Sequence, residues 1–171
     1  MAYTYSQINI HAVFTVMGRE NLISPAFRGH LFGYISETMK GIGVYPLAVN
    51  GTADHVHIFF ELPPNISVSK ALQEIKTSSS RWINNEGLVP GKFQWQKGFG
   101  AFTNSRSQRD SVIKYILNQE LHHAKNSFRD EYIELLQKYS VDFNPNNLFE
   151  FYVQDSENIL PAETEGRLIN D

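Results

Sequence analysis

The stretch Asp54-His55-Val56-His57-Ile58-Phe59-Phe60-Glu61-Leu62 constrains this chain more than any other. Its β-branched and aromatic residues predict a strand. Alternate side chains of a strand point to opposite faces. Val56, Ile58, Phe60 and Leu62 then make a purely apolar face and read as core. His55, His57, Phe59 and Glu61 share the other face. Two imidazoles side by side on a rigid element suit a divalent metal. Taken alone they better suit the exposed face of an amphipathic strand, so the rest of the chain has to decide.

The elements around that strand follow in a recognisable order. Gln7–Val16 alternates as a strand, with His11 on one of its faces. Ser24-Pro25 opens a helix, which carries Phe27, Leu31, Tyr34, Ile35 and Met39 at helical spacing and ends at Gly41 or Gly43. Val44–Val49 is a short strand. Asn50-Gly51 is a strong two-residue hairpin signal, with Thr52-Ala53-Asp54 able to lengthen the loop. Ser67 caps a second helix. Phe93–Asn104 reads as an aromatic strand with Gly98 and Gly100 inside it. Ser107 or Asp110 starts a third helix that runs to about Lys125, and Phe128–Tyr139 forms a short further helix. The order β-α-β-β-α-β-α predicts an α+β, ferredoxin-like (RRM-like) split β-α-β sandwich with an added C-terminal helix. In that topology the first and third strands lie together in the middle of the sheet, which brings His11 toward the histidine pair.

At 171 residues the chain is expected to form one domain, residues 1–150, followed by an acidic, mobile tail over 151–171. The absence of Cys excludes disulfides, thiolate metal sites and a Cys nucleophile. No apolar run approaches the roughly 18 residues of a membrane span, and no signal peptide is evident, so the expectation is a cytoplasmic protein with no membrane partner. The net charge of −3 argues mildly against a nucleic-acid binder, but its distribution softens that. Residues 130–171 hold ten acids and two bases, which leaves 13 bases and eight acids in residues 1–129. The body is basic and the tail acidic.

The helix beginning near Ser111 carries a second constellation. Tyr115, Gln119 and His122 fall at i, i+4 and i+7, one stripe of the helix. Two imidazoles and an amide oxygen could hold a metal that acts as a Lewis acid on a phosphodiester, with the tyrosine as nucleophile. No general base is evident. Lys76, Arg81, Lys97, Arg106, Arg109 and Lys114 could position a DNA backbone, and Trp82, Trp95 and Phe99 could stack on unpaired bases.

With these segments in place, the chain resembles the small single-tyrosine HUH transposases of bacterial insertion sequences. The matching segments are His11–Thr15, Ala53–Ile58, Glu74–Ile83, Trp95–Phe102 and Tyr115–His123. The resemblance implies that His55, His57 and Gln119 hold Mg²⁺ or Mn²⁺ and that Tyr115 is the nucleophile; the strand order and the helix stripe add His11 and His122 as accessory groups. It implies cleavage of single-stranded DNA beside a hairpin, a 5′-phosphotyrosine bond, and strand transfer. It also implies a homodimer whose active sites are shared between subunits. The basic segment that many relatives carry after the first strand is here Val16-Met17-Gly18-Arg19. The alternative is a domesticated, repeat-associated relative that binds hairpin DNA without element mobility.

Overall fold

The computed structural model describes residues 3–148 and the backbone of residues 152–155 and 158–161. Four strands form one antiparallel sheet. They are β1 (Asn9–Thr15), β2 (Tyr45–Gly51), β3 (His55–Glu61) and β4 (Gly100–Asn104), in the order β2-β3-β1-β4. Helix α1 (Pro25–Gly41) connects β1 to β2, and α2 (Val68–Asn85) connects β3 to β4. This is the split β-α-β arrangement, with β1 and β3 central as expected. Ser67 caps α2 by accepting a hydrogen bond from the Lys70 amide, which satisfies one of the donors a helix start leaves open.

The two faces of the sheet have different partners. Ile10, Ala12 and Phe14 of β1 and Val56, Ile58 and Phe60 of β3 pack against Phe27, Leu31, Ile35 and Met39 of α1 and Leu72, Ile75 and Ile83 of α2. Each of these side chains except Ala12 contributes about 1.5–3 kcal/mol by leaving water. The opposite face, which carries the histidines, is covered by α3 (Arg109–Leu117), α4 (Gln119–His123) and α5 (Phe128–Lys138). Two apolar clusters anchor that cover. Ile116 of α3 meets Ala48 and Phe59, while Phe128, Tyr132, Leu135 and Leu136 of α5 meet Val13 and Phe102. The histidines lie in the seam between them.

Three local expectations change. Asn50-Gly51 is not a turn. Both residues pair within the β2–β3 ladder, opposite His57 and Val56, and Thr52–Asp54 make the loop. Gly51 is required by close approach, because a Cβ there would lie 2.2 Å from the His55 carbonyl oxygen. The expected strand over 93–104 is shortened to β4. Residues 94–96 still bond to the end of β1 through an isolated bridge between Val16 and Trp95, but Gly98, at φ 82°, bends the chain out of the ladder. The expected continuous third helix is interrupted at Asn118, whose φ and ψ of −96° and 20° separate α3 from α4.

In the acidic tail, β5 (Tyr152–Asp155) and β6 (Asn158–Pro161) pair with each other. Residues 162–171, part of the segment expected to be mobile, lie outside the described residues. Among the described residues no helix is long and apolar enough to cross a membrane.

Candidate active site

The β1–β3 register sets Val13 opposite His57 and Thr15 opposite His55. His11 therefore lies diagonally across from His57, and its Nε2 sits 2.8 Å from His57 Nδ1. His55 Nδ1 is held by Asp54 Oδ1 at 2.7 Å, and its ring stacks on Phe128 with centroids 3.8 Å apart. Each histidine of the pair thus has Nδ1 engaged by a neighbour and Nε2 left facing the seam. Fixing one ring nitrogen in this way orients the other as a ligand. For His57 to donate from Nδ1, His11 must accept at Nε2 and be neutral. Burial, reinforced by His57, does hold His11 well below its usual range.

Gln119 is fully buried. Its Oε1 lies 3.4 Å from His55 Nε2 and 2.9 Å from His123 Nε2. Tyr115 sits against the same group, its ring centroid 6.0 Å from that of His57, 6.1 Å from His11 and 5.5 Å from His122. One chain therefore brings its own tyrosine, glutamine and histidine pair together. Asn50 helps to set that position from β2. Its Nδ2 donates to the carbonyls of Ile116 and Leu117, at the break between Tyr115 and Gln119.

Sequence reasoning missed Glu131 and His123. Glu131 is 1% exposed. Its carboxylate lies 2.8 Å from His57 Nε2, 2.9 Å from His122 Nε2 and 3.4 Å from His123 Nε2. Five of the chain's six histidines thus converge around one acid. The signal for Glu131 was available: on α5 it falls within the buried stripe of Phe128, Tyr132 and Leu135, where an acid is out of place unless it has partners. One donor atom from each of His55, His57, His123 and Glu131 lies within 4.8 Å of the others, and Gln119 Oε1 adjoins them. That donor set fits a divalent cation.

The electrostatics follow from burial and proximity. Burial lowers His55 to about 4, against the opposing pull of Asp54. Burial alone would raise Glu131, but hydrogen bonds from His123 and His57 and the charge on His57 hold it well below the usual carboxylate range. Burial and the negative Glu131 push the Tyr115 phenol well above its ordinary value.

These shifts predict acid sensitivity. In the unfolded chain His55 takes up a proton near 6.5, but in the folded protein only near 4. Acid in that window favours the unfolded state. The stability present above pH 6.5 therefore drains away as pH falls toward 4, by about 3 kcal/mol from this group alone. Glu131 and Asp54, both depressed, add to the loss at lower pH. The urea midpoint should fall steeply between pH 7 and 4.5; a flat midpoint would contradict the buried, neutral His55.

The basic residues proposed for DNA separate into two groups. Arg109 is structural: it donates to Asn9 Oδ1 at 2.9 Å and pairs with Glu61 at 2.6 Å, tying the start of α3 to the sheet. Lys76 donates to the carbonyls of Gln96 and Gly98. Arg106 donates to Gln7 at the surface. Arg81, Lys97 and Lys114 are exposed. Among the aromatics, Trp82 stacks on Tyr34 and Trp95 is buried, donating to Ser79 Oγ. Phe99 stays partly exposed, and with Lys97 it lines a cavity of about 410 Å³ between α2 and residues 94–99. Arg109→Met should cost about 1–3 kcal/mol of stability and leave the salt dependence of DNA binding unchanged. Lys97→Ala should do the reverse, reducing the salt slope by about one.

A ferredoxin-like sheet thus carries a buried cluster of histidines and one acid whose donors fit a divalent cation, with a tyrosine beside it. Residues 4–119 match the family described as "Transposase IS200 like", and the chain belongs to that family. Two solved structures share the fold. One, a candidate transposase from Deinococcus radiodurans R1, is 18% identical, with a TM-score of 0.55 over 70% of this chain and 95% of its own. The other, a REP-associated tyrosine transposase bound to a REP hairpin, is 13% identical, with a TM-score of 0.53 over 99% of both chains. No curated protein sequence matches the chain.

Proposed function

We propose that this protein cuts and rejoins single-stranded DNA beside a hairpin, with Tyr115 as nucleophile and His55, His57 and Gln119 as metal ligands, joined by His123 and Glu131. The observation that carries this reading is the meeting, within one chain, of the Tyr115 phenol with the His55–His57–Glu131 group. A divalent cation held there would polarise the scissile phosphate and offset the negative field of Glu131. Nitrogen donors beside a carboxylate favour Mn²⁺ over Mg²⁺.

Tyr115 Oη attacks phosphorus, the bond from phosphorus to the 3′-oxygen breaks, and a 5′-phosphotyrosine with a free 3′-OH results. Glu131 orients the phenol. Held so far below its usual range, Glu131 is a weak proton acceptor. His122, partly exposed beside Tyr115, takes up the phenolic proton, and solvent protonates the departing 3′-oxygen. Attack by that 3′-OH, or by another, on the phosphotyrosine rejoins the strand.

In this reading the tyrosine comes from the same chain as the histidine pair rather than from a second subunit. A homodimer joined through an outer strand of the sheet would keep each active site within one chain, rather than share it. The neighbour that covers 99% of both chains is a REP-associated enzyme bound to a hairpin. That whole-length match favours, as a second reading, a repeat-associated role that retains the chemistry without element mobility.

The test is a denaturing gel of protein incubated with single-stranded hairpin DNA from the flanks of its own gene, with and without Mn²⁺. A metal-dependent protein–DNA band that His57→Ala removes supports the reading. Hairpin binding with no adduct under any metal overturns it in favour of a binding module.

A further inference from the structure

The first strand of the sheet leads into an unusual turn. Gly18 and Arg19 follow β1 at φ 66° and 55°, two left-handed residues in succession. Glycine takes that conformation freely, whereas an arginine is strained in it. Such strain persists only where the surroundings enforce it, and it gathers at functional sites. The surroundings here are specific. The Val16 amide donates to the Asp54 carbonyl at 2.8 Å, the Met17 amide to the Gln94 carbonyl at 3.0 Å and the Arg19 amide to the Val16 carbonyl at 2.8 Å. The turn is thereby stitched to the residue that precedes the histidine pair.

The Arg19 side chain reaches the same residue. It is the one base of Val16–Arg19, yet it turns inward, with 18% of its side chain exposed. Its guanidinium carbon lies over the Phe128 ring, 5.7 Å from the centroid, and His55 stacks on that ring. Its Nε lies 3.5 Å from Asp54 Oδ2. The other carboxylate oxygen, Oδ1, accepts from Thr52 Oγ1 at 3.2 Å and faces His55 Nδ1 at 2.7 Å. Both oxygens of Asp54 are therefore engaged, and the carboxylate has one way to face the imidazole. An ion pair this sheltered gives back much of its attraction as lost hydration, so stability alone does not account for it.

We infer that Arg19 is a positioning residue for the metal ligand His55, acting through Asp54. The guanidinium fixes the carboxylate, and the carboxylate takes the Nδ1–H of His55. The lone pair of Nε2 is then left facing the Gln119 and Glu131 oxygens, 3.4 and 4.0 Å away. Groups that set a ligand's tautomer and ring angle in this way tune its hold on a metal. The one base of this turn thus serves the metal centre rather than a DNA phosphate. This inference rests on the reading of His55 as a metal ligand.

The test uses the full chain with Arg19→Met, which keeps a long stem without the charge, with Asp54→Asn, and with both. Two quantities are read. The first is the ring ¹⁵N spectrum of the metal-free protein at about pH 7.5, where His55 is neutral; its signals are assigned by their loss in His55→Gln. The unsubstituted protein should show His55 as the Nδ1–H tautomer, and each variant should move it toward an average of the two tautomers. The second is Mn²⁺ affinity by calorimetry, which should fall about tenfold in Arg19→Met. In the Asp54→Asn background the same change should cost less than about twofold more, because a residue that acts through another adds little once that other is gone. Equal losses in both backgrounds overturn the proposal, and so does a lowered urea midpoint with an unshifted tautomer. Unchanged Mn²⁺ affinity with weaker hairpin binding and a salt slope reduced by about one would make Arg19 a phosphate contact instead. If the unsubstituted protein fails to bind Mn²⁺ while the tautomer still shifts, the reading of His55 as a ligand falls and the coupling of Arg19 to His55 stands.

Discussion

Changing Tyr115 to Phe is expected to abolish the protein–DNA adduct, a fall of at least about a thousandfold, while leaving the fold in place. The phenol sits at the end of α3, its ring packed near His57, His11 and His122. Phe fills the same space. Only the hydroxyl is lost, with its interaction with the charged Glu131, so stability should change by about 1–3 kcal/mol. Hairpin affinity should hold, because the ring is retained. Tyr45→Phe, at an exposed site on β2, should behave as the unsubstituted protein. An adduct that persists in Tyr115→Phe would mean that another side chain attacks, and the site as described would be wrong. The pH profile carries a second check. Burial and Glu131 hold the apo phenol protonated, so the adduct should need metal at neutral pH and should not be rescued by a modest rise in pH alone.

How far the sequence could be read depended on the range of the forces involved. The β3 alternation and the Pro25 and Ser67 helix starts are local, and they were legible. So was the sheet order, because few topologies accommodate β-α-β-β-α-β. Asn50-Gly51 misled because turn chemistry is a propensity. Here pairing with His57 and Val56, and contact with the end of α3, override it. Phe93–Asn104 misled because one left-handed glycine ends a ladder that aromatic content alone cannot extend. The partners of the bases were not legible for a similar reason. Arg109 and Lys76 look alike in a sequence, yet one is bound to Glu61 and the other to backbone carbonyls. Charge counts say nothing about which partner a long side chain finds.

His55, His57, Gln119 and Tyr115 came from spacing and resemblance, and the fold brings all four together. Glu131 comes from a helix that the resemblance did not quote, some 70 residues beyond the histidine pair, and only the packing of α5 on β1 and β4 delivers it. It is also the residue whose replacement separates two explanations of the site.

Glu131→Gln is nearly isosteric, so it keeps the packing of α5 against Val13 and Phe102 while removing the charge. If Glu131 helps to hold the cation, Mn²⁺ affinity by calorimetry should drop by at least about tenfold, and adduct formation by roughly a hundredfold. If the acid served only to neutralise buried imidazoles, the substitution would lower the urea midpoint of the metal-free protein but leave Mn²⁺ affinity nearly intact. The two outcomes differ because a ligand acts through the bound state and a structural counter-charge through the apo state. The carboxylate touches His57, His122 and His123 at once, so some apo destabilisation is expected either way, of about 1–3 kcal/mol. The deciding quantity is how much stabilisation Mn²⁺ adds. In the unsubstituted protein, metal at a hundredfold excess over its dissociation constant raises stability by about 2.7 kcal/mol. In Glu131→Gln, at the same metal concentration, a tenfold loss of affinity should remove about half of that increment, and a larger loss more. An increment that survives whole would remove Glu131 from the metal site and leave His55, His57 and Gln119 to hold the ion with His123 alone.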